Sequence, residues 1–147
     1  MRANRNVLIL YLTCLLVIAF VIVPNSSKGA CTDKDSSLIG TVWRWQCSLY
    51  NNNTESVPPD PDRYTLMLQP DGQINIRADC NMGGGTYTLD GKKISITITH
   101  TTRAACPPES LEQPYISDLN GVAGWFFKER DLYLDIKYDT GTMKFSK

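Results

Sequence analysis

From Thr41 the chain alternates. Thr41, Trp43, Trp45, Cys47 and Leu49 fall on one face of an extended segment, and Val42, Arg44, Gln46 and Ser48 fall on the other. A period of two marks a strand with one buried face, so Leu38–Tyr50 predicts a strand that directs both tryptophans inward. Ile94, Ile96 and Ile98 alternate with Ser95, Thr97 and Thr99 in the same way, one dry face and one wet. Turn chemistry pairs the segments. Arg63–Gln69 and Gln73–Ala78 flank Pro70-Asp71-Gly72, where proline presets one torsion and glycine accepts a positive φ. Gly85–Leu89 and Lys93–Thr99 flank Asp90-Gly91, the strongest short hairpin signal in the chain. Val122–Lys128 and Asp131–Tyr138 lie either side of Glu129-Arg130, and Thr142–Lys147 comes after Asp139-Thr140-Gly141 as a closing strand. Asn51–Asp62 reads as a loop.

One segment changes period. Pro107–Val122 opens on two prolines, carries Glu109 and Glu112 early, and repeats Leu111, Tyr115, Ile116 and Leu119 at helical spacing up to Gly121. Pro114 interrupts it, so the regular part is expected to begin there. About eight strands and one helix make an α+β fold, mainly antiparallel. The sheet should curl over the helix or close partly into a barrel.

The N-terminus obeys a different rule. Arg2 and Arg5 precede a continuous apolar run, Val7–Val23, with Pro24 and polar residues after it. That is the layout of a secretory signal, with Ser27-Lys28-Gly29 as the favoured cleavage site. The 17-residue run is also at the lower limit for spanning a bilayer, so a retained anchor is the alternative. The chain therefore divides into residues 1–29 as signal peptide or membrane anchor, 30–37 as a flexible leader, and 38–147 as one domain. Both arginines favour export of the leader and domain to the periplasm or cell envelope. The full chain has 147 residues, 15 basic and 15 acidic. Arg2, Arg5 and Lys28 lie in residues 1–29, which leaves the exported part a net charge of about −3 and no reason to expect nucleic acid. The membrane is a partner only through the N-terminal segment, if that segment is uncleaved; the expected partner is otherwise an envelope protein or wall component.

Five cysteines are present, and Cys14 lies in the apolar run. Cys31, Cys47, Cys80 and Cys106 remain. In an oxidising compartment an even set reads as two disulfides, with three possible connectivities. No C-x2-C spacing occurs and His100 is the one histidine, so no metal or cofactor is expected.

Four stretches stand out together: Gly40-Thr41-Val42-Trp43, Asp79-Cys80-Asn81 with Gly85 and Tyr87 after it, Thr101-Thr102-Arg103-Ala104-Ala105-Cys106, and Asp131–Lys147. Together they resemble the META/HslJ-like domain family over about Leu38–Lys147. Met82 departs from the basic residue common at that place. The resemblance implies a small bacterial envelope protein linked to stress, with no defined reaction, and makes Asp79, Asn81, Gly85, Tyr87 and Arg103 parts of a structural motif.

The site readings divide accordingly. Cys80 could be a nucleophile with His100 as base. An exported cysteine with a partner 26 residues on is better read as half of a disulfide, and the bonded sulfur cannot attack. Cys80 ends one strand and Cys106 comes after the return strand of the next hairpin, so these two should pair. By exclusion Cys31 would pair with Cys47. Arg103 is expected to bind loop carbonyls or Asp79, and Gly83–Gly85 to turn the chain sharply. Trp43 and Trp45 are expected in the core, with a sugar- or peptide-stacking surface as their alternative use. The expected function is a non-catalytic envelope module that binds or stabilises a protein or wall component. An inhibitor of a wall-degrading enzyme, or a hydrolase using Cys80 or a carboxylate pair, are the alternatives.

Overall fold

A computed structural model describes residues 37–147. The expected signal or anchor, nearly all of the leader, and Cys31 lie outside the described residues. Nine strands form one antiparallel sheet: β1 (Trp43–Tyr50), β2 (Glu55–Ser56), β3 (Tyr64–Leu68), β4 (Gln73–Ala78), β5 (Asn81–Asp90), β6 (Lys93–Thr101), β7 (Val122–Lys128), β8 (Asp131–Ile136) and β9 (Gly141–Ser146). One α-helix among the described residues, α1 (Glu112–Gly121), joins β6 to β7. β3 to β9 succeed one another in the sheet, and β1 pairs with both β3 and β9. Eight strands therefore close into a barrel, beyond the partial closure the sequence suggested. The short β2 lies beside the far end of β1, in the segment expected to be loop.

The interior is filled by side chains that alternate inward. Trp43, Trp45, Tyr64, Leu66, Leu68, Ile74, Ile76, Leu132, Leu134, Met143 and Phe145 are almost wholly buried, as a small barrel requires. The helix closes this core. Tyr115 and Leu119, one turn apart, are fully buried. The Tyr115 ring lies 5.0 Å from Trp45, 5.7 Å from Tyr64 and 6.4 Å from Phe145, a cluster of four aromatic rings at separations where edge and tilted contacts are favourable. Pro114 falls in the first turn of α1, where an absent N–H loses no helical bond. The helix therefore begins two residues before the proline rather than at it.

Two local readings of the sequence are corrected. The β1 alternation holds through Trp45 and then inverts. Trp45 faces Phe145 while Cys47 faces Lys144, so β1 advances two residues against one on β9. This bulge around Gln46 turns Ser48 inward, leaves Cys47 half-buried and puts Leu49 outside at 53% exposure. The second correction concerns Gly83–Gly85, which lie within β5 rather than in a turn. They permit close approach. A Cβ on Gly83 would stand 2.7 Å from the His100 carbonyl oxygen, and one on Gly85 would collide with the Thr97 carbonyl. The ladder slips here too: Gly84 faces His100 and Gly85 faces Ile98. The sharp turn comes earlier, at Asp79, whose φ is 61°.

The weakest seam lies between β6 and β7. They share one pair, Lys93 with Gly124, and a bond from the Trp125 N–H to the Lys92 carbonyl at 2.9 Å. Beyond it the strands diverge and α1 lies against β6. There the Asn120 side chain accepts the Ile98 N–H at 2.8 Å.

Candidate functional site

The β4–β5 turn, the segment after β6 and the start of α1 meet at Asn81. Its side chain is 2% exposed and fully engaged. Oδ1 accepts from the Thr102 hydroxyl at 2.7 Å and from the Ala104 N–H at 2.8 Å. Nδ2 donates to the Ala104 carbonyl at 3.2 Å and to Glu112 Oε2 at 3.0 Å. An amide can serve both a donor and an acceptor of the same peptide segment, as a paired strand would, and here it stands in for one. The Thr102 N–H also donates to the Met82 carbonyl at 2.8 Å. Cys80 and Cys106 are joined across the same junction, with Cα atoms 5.5 Å apart. The sulfur of Cys80 is therefore committed, and the nucleophile reading loses its reacting atom. His100 bonds instead to its neighbour, with Nδ1 3.1 Å from the Thr99 hydroxyl.

Asp79 is buried, and its partner is Arg63 rather than Arg103. The Arg63 guanidinium lies 2.5 Å from Asp79 Oδ1, and the Asp79 N–H donates to the Arg63 carbonyl at 2.7 Å. Arg77 Nε donates to the Asp79 carbonyl at 3.1 Å. These contacts hold the strained left-handed aspartate in place. Gly85 lies at the β5 slip, and Tyr87 packs into the core with its hydroxyl donating to the Gln69 carbonyl at 2.6 Å. Burial, helped by Asp71, raises the pKa of that hydroxyl above the ordinary tyrosine value.

Trp43 and Trp45 are fully buried, so neither presents a face to a ligand and the stacking-surface alternative fails. Trp43 Nε1 donates to the Leu38 carbonyl at 3.1 Å. Cys47 has no disulfide partner among the described residues, and burial raises the pKa of its thiol.

The β1 bulge also builds a polar cluster that the alternating pattern conceals. The Ser48 hydroxyl donates to Asp118 Oδ2 at 2.7 Å, and the Tyr50 hydroxyl donates to the same oxygen at 2.7 Å. Strict alternation places Ser48 on the wet face, because the bulge leaves no mark in the hydrophobic pattern. Burial, more than the nearby Asp118, raises the pKa of the Tyr50 hydroxyl.

What remains unspent in this region is Arg103. It is exposed and makes no ion pair or hydrogen bond among the described residues. Its backbone is nonetheless fixed, because Thr102 and Ala104 on either side are both bonded, to Met82 and to Asn81. Arg103 borders an open cleft of about 430 Å³ between β6 and α1, with Ile98, Thr99, His100, Thr101, Gln113 and Ile116 as the other walls. A larger cleft, about 550 Å³, lies at the end of β1 and is lined by Tyr50, Asn51, Asn52, Thr54, Asp139 and Thr140. Its polar groups serve the local turns, since the Asn51 amide donates to the Asp139 carbonyl and the Asn51 N–H to the Thr140 carbonyl. The smaller cleft is the better candidate because its cation is not occupied by the fold. Among the described residues no three His, Cys, Asp or Glu side chains converge as a metal site would need, and no helix is long and apolar enough to cross a membrane.

The model of the META domain matches residues 36–147. Solved structures share the fold, among them the following two. The NMR structure of a protein from Burkholderia xenovorans has a TM-score of 0.61 and 24% identity, over 74% of this chain and 82% of that one. A DUF4847 family protein from Bacteroides vulgatus has a TM-score of 0.54 and 14% identity, over 74% of this chain and 93% of that one. No curated protein matches.

Proposed function

Because the chain belongs to the META domain family, and the sequence motif of that domain is spent here on holding a junction, we propose that it is a non-catalytic exported module that binds or stabilises a protein partner in the cell envelope. The observation that carries this reading is Arg103, whose neighbours' main chain is bonded on both sides while its side chain borders a cleft with no partner among the described residues. A fold that fixes the backbone beneath a charged side chain and leaves that side chain unpaired has already met the backbone part of the ordering cost of binding. The Asp79, Cys80 and Asn81 groups that an enzyme could use are taken by Arg63, Cys106 and the segment after Thr101. The link to envelope stress comes from the family resemblance alone.

Photo-cross-linking in bacterial cells tests this. A photoreactive residue replacing Thr99 or Gln113 should give a discrete protein adduct, and the same residue at Thr86, exposed on β5, should not. No adduct at either cleft position, or release of soluble fragments from purified cell wall by the protein, overturns the reading. A reporter active only in the periplasm, fused after Lys147, should be active. A silent one removes the exported part of the proposal.

A further inference from the structure

We infer that the cleft between β6 and α1 takes an extended polypeptide segment, which adds to the free edge of β6 and places a carboxylate on Arg103. The inference rests on the binding reading above and supplies the chemistry of its partner. One edge of β6 is paired with β5 along its length, from Lys93 to Thr101. The other edge meets β7 only at Lys93. Beyond that point a side chain substitutes for a strand, with Asn120 Oδ1 accepting the Ile98 N–H. Past Ile98, the end of β6 bordering the cleft has no strand on that side. An edge of this kind is a template for a further strand, whose main chain supplies affinity while neighbouring side chains supply selectivity.

The walls say what the added strand should carry. Ile98 and Ile116 give the cleft an apolar part, and Thr99, Thr101 and Gln113 a neutral polar part. His100 and Arg103 are its titratable or charged groups, and no acid lines it. The carboxylates of the packed helix are engaged elsewhere: Glu112 with Asn81, Asp118 with Ser48 and Tyr50. Arg103 thus faces the cleft region without a local counter-charge. A guanidinium offers a planar fork that matches a carboxylate with two parallel bonds. A polyanion fits less well, because the domain as a whole is mildly acidic.

A displayed library of random octapeptides, selected on the immobilised full chain in mild detergent, tests this. Enriched peptides should share one Asp or Glu. Their affinity, read by fluorescence anisotropy, should fall about tenfold or more in Arg103→Ala. Replacing the peptide's acid by its amide should cost a similar factor, and the two changes together should cost little more than either alone. Arg103→Lys should recover only part of the loss, and N-methylation at alternate peptide positions should abolish binding. Arg103 is on the surface, so an unchanged thermal midpoint in Arg103→Ala will confirm that the variant is folded. Peptides whose affinity ignores Arg103, or a library that yields no acidic preference or no enrichment, overturn the inference. An adduct at Thr99 or Gln113 in cells would then leave the binding reading standing with a partner of other chemistry.

Discussion

At the scale of single residues, the aromatic core carries the sharpest expectations. Trp43 is fully buried and bonded to the Leu38 carbonyl, so Trp43→Ala should lower stability by about 3–5 kcal/mol in denaturant unfolding, through lost burial and the cavity left behind. Tyr115 adds a dependence on pH. It is wholly enclosed, and that burial raises the pKa of its hydroxyl well above the ordinary tyrosine value. In the unfolded chain the same hydroxyl loses its proton near pH 10. Its contribution is therefore fully present below pH 10 and is lost as pH rises through the higher folded value, because the unfolded state then binds fewer protons. One such group steepens the fall by up to about 1.4 kcal/mol per pH unit. Tyr115→Phe should be less sensitive between pH 10 and 11 than the wild type, measured by urea midpoints at each pH. At neutral pH the change should cost little, since the Tyr115 hydroxyl bonds to no protein group among the described residues. Equal alkaline slopes in both proteins would place the sensitivity elsewhere.

At the scale of elements, the junction around Asn81 joins a turn, a loop and a helix start. The Cys80–Cys106 bond closes a loop of 26 residues. Its removal in Cys80→Ala/Cys106→Ala should cost about 3–4 kcal/mol by the chain-entropy estimate. Asn81→Asp is a finer probe. It keeps the acceptor for Thr102 and Ala104 but puts a second carboxylate where Nδ2 now meets Glu112. Its penalty should grow as pH rises through the carboxylate range, because two like charges then face one another. A pH-independent penalty in thermal unfolding would show that geometry alone governs the site. This junction was half legible in the sequence. Compartment and cysteine position pointed to Cys80 and Cys106. The Asp79–Arg63 pair was not visible, because Arg63 stood in a predicted strand with no sign that its chain end met the next turn. The same limit hid the bulge at Gln46. An extra residue leaves the composition of a strand unchanged and alters only which face each later residue takes.

At the scale of the whole molecule, hairpin turns and alternation disclosed nearly every strand and the one α-helix among the described residues, because those signals are local. Full closure was not local, and neither was the cleft. Both depend on β1 meeting β9 and on β7 parting from β6, events between segments far apart in the chain. The closing ladder has a consequence in time. Trp45 faces Phe145, about 100 residues later, whereas the cysteine bond spans 26. Because the chain becomes available N-terminus first, β1 and its tryptophans wait for almost the entire domain before their last neighbour is present. The staple needs only the chain as far as Cys106 and an oxidising compartment. Pulse-labelled chains stopped before Gly141 should therefore be protease-sensitive and aggregate, whereas chains extended past Ser146 should become resistant in one step. A gradual rise in resistance with length would instead mean that the open sheet is stable by itself. Such a protein is exposed to misassembly for most of its synthesis, with two unpaired edges and an apolar face uncovered until the final strand arrives.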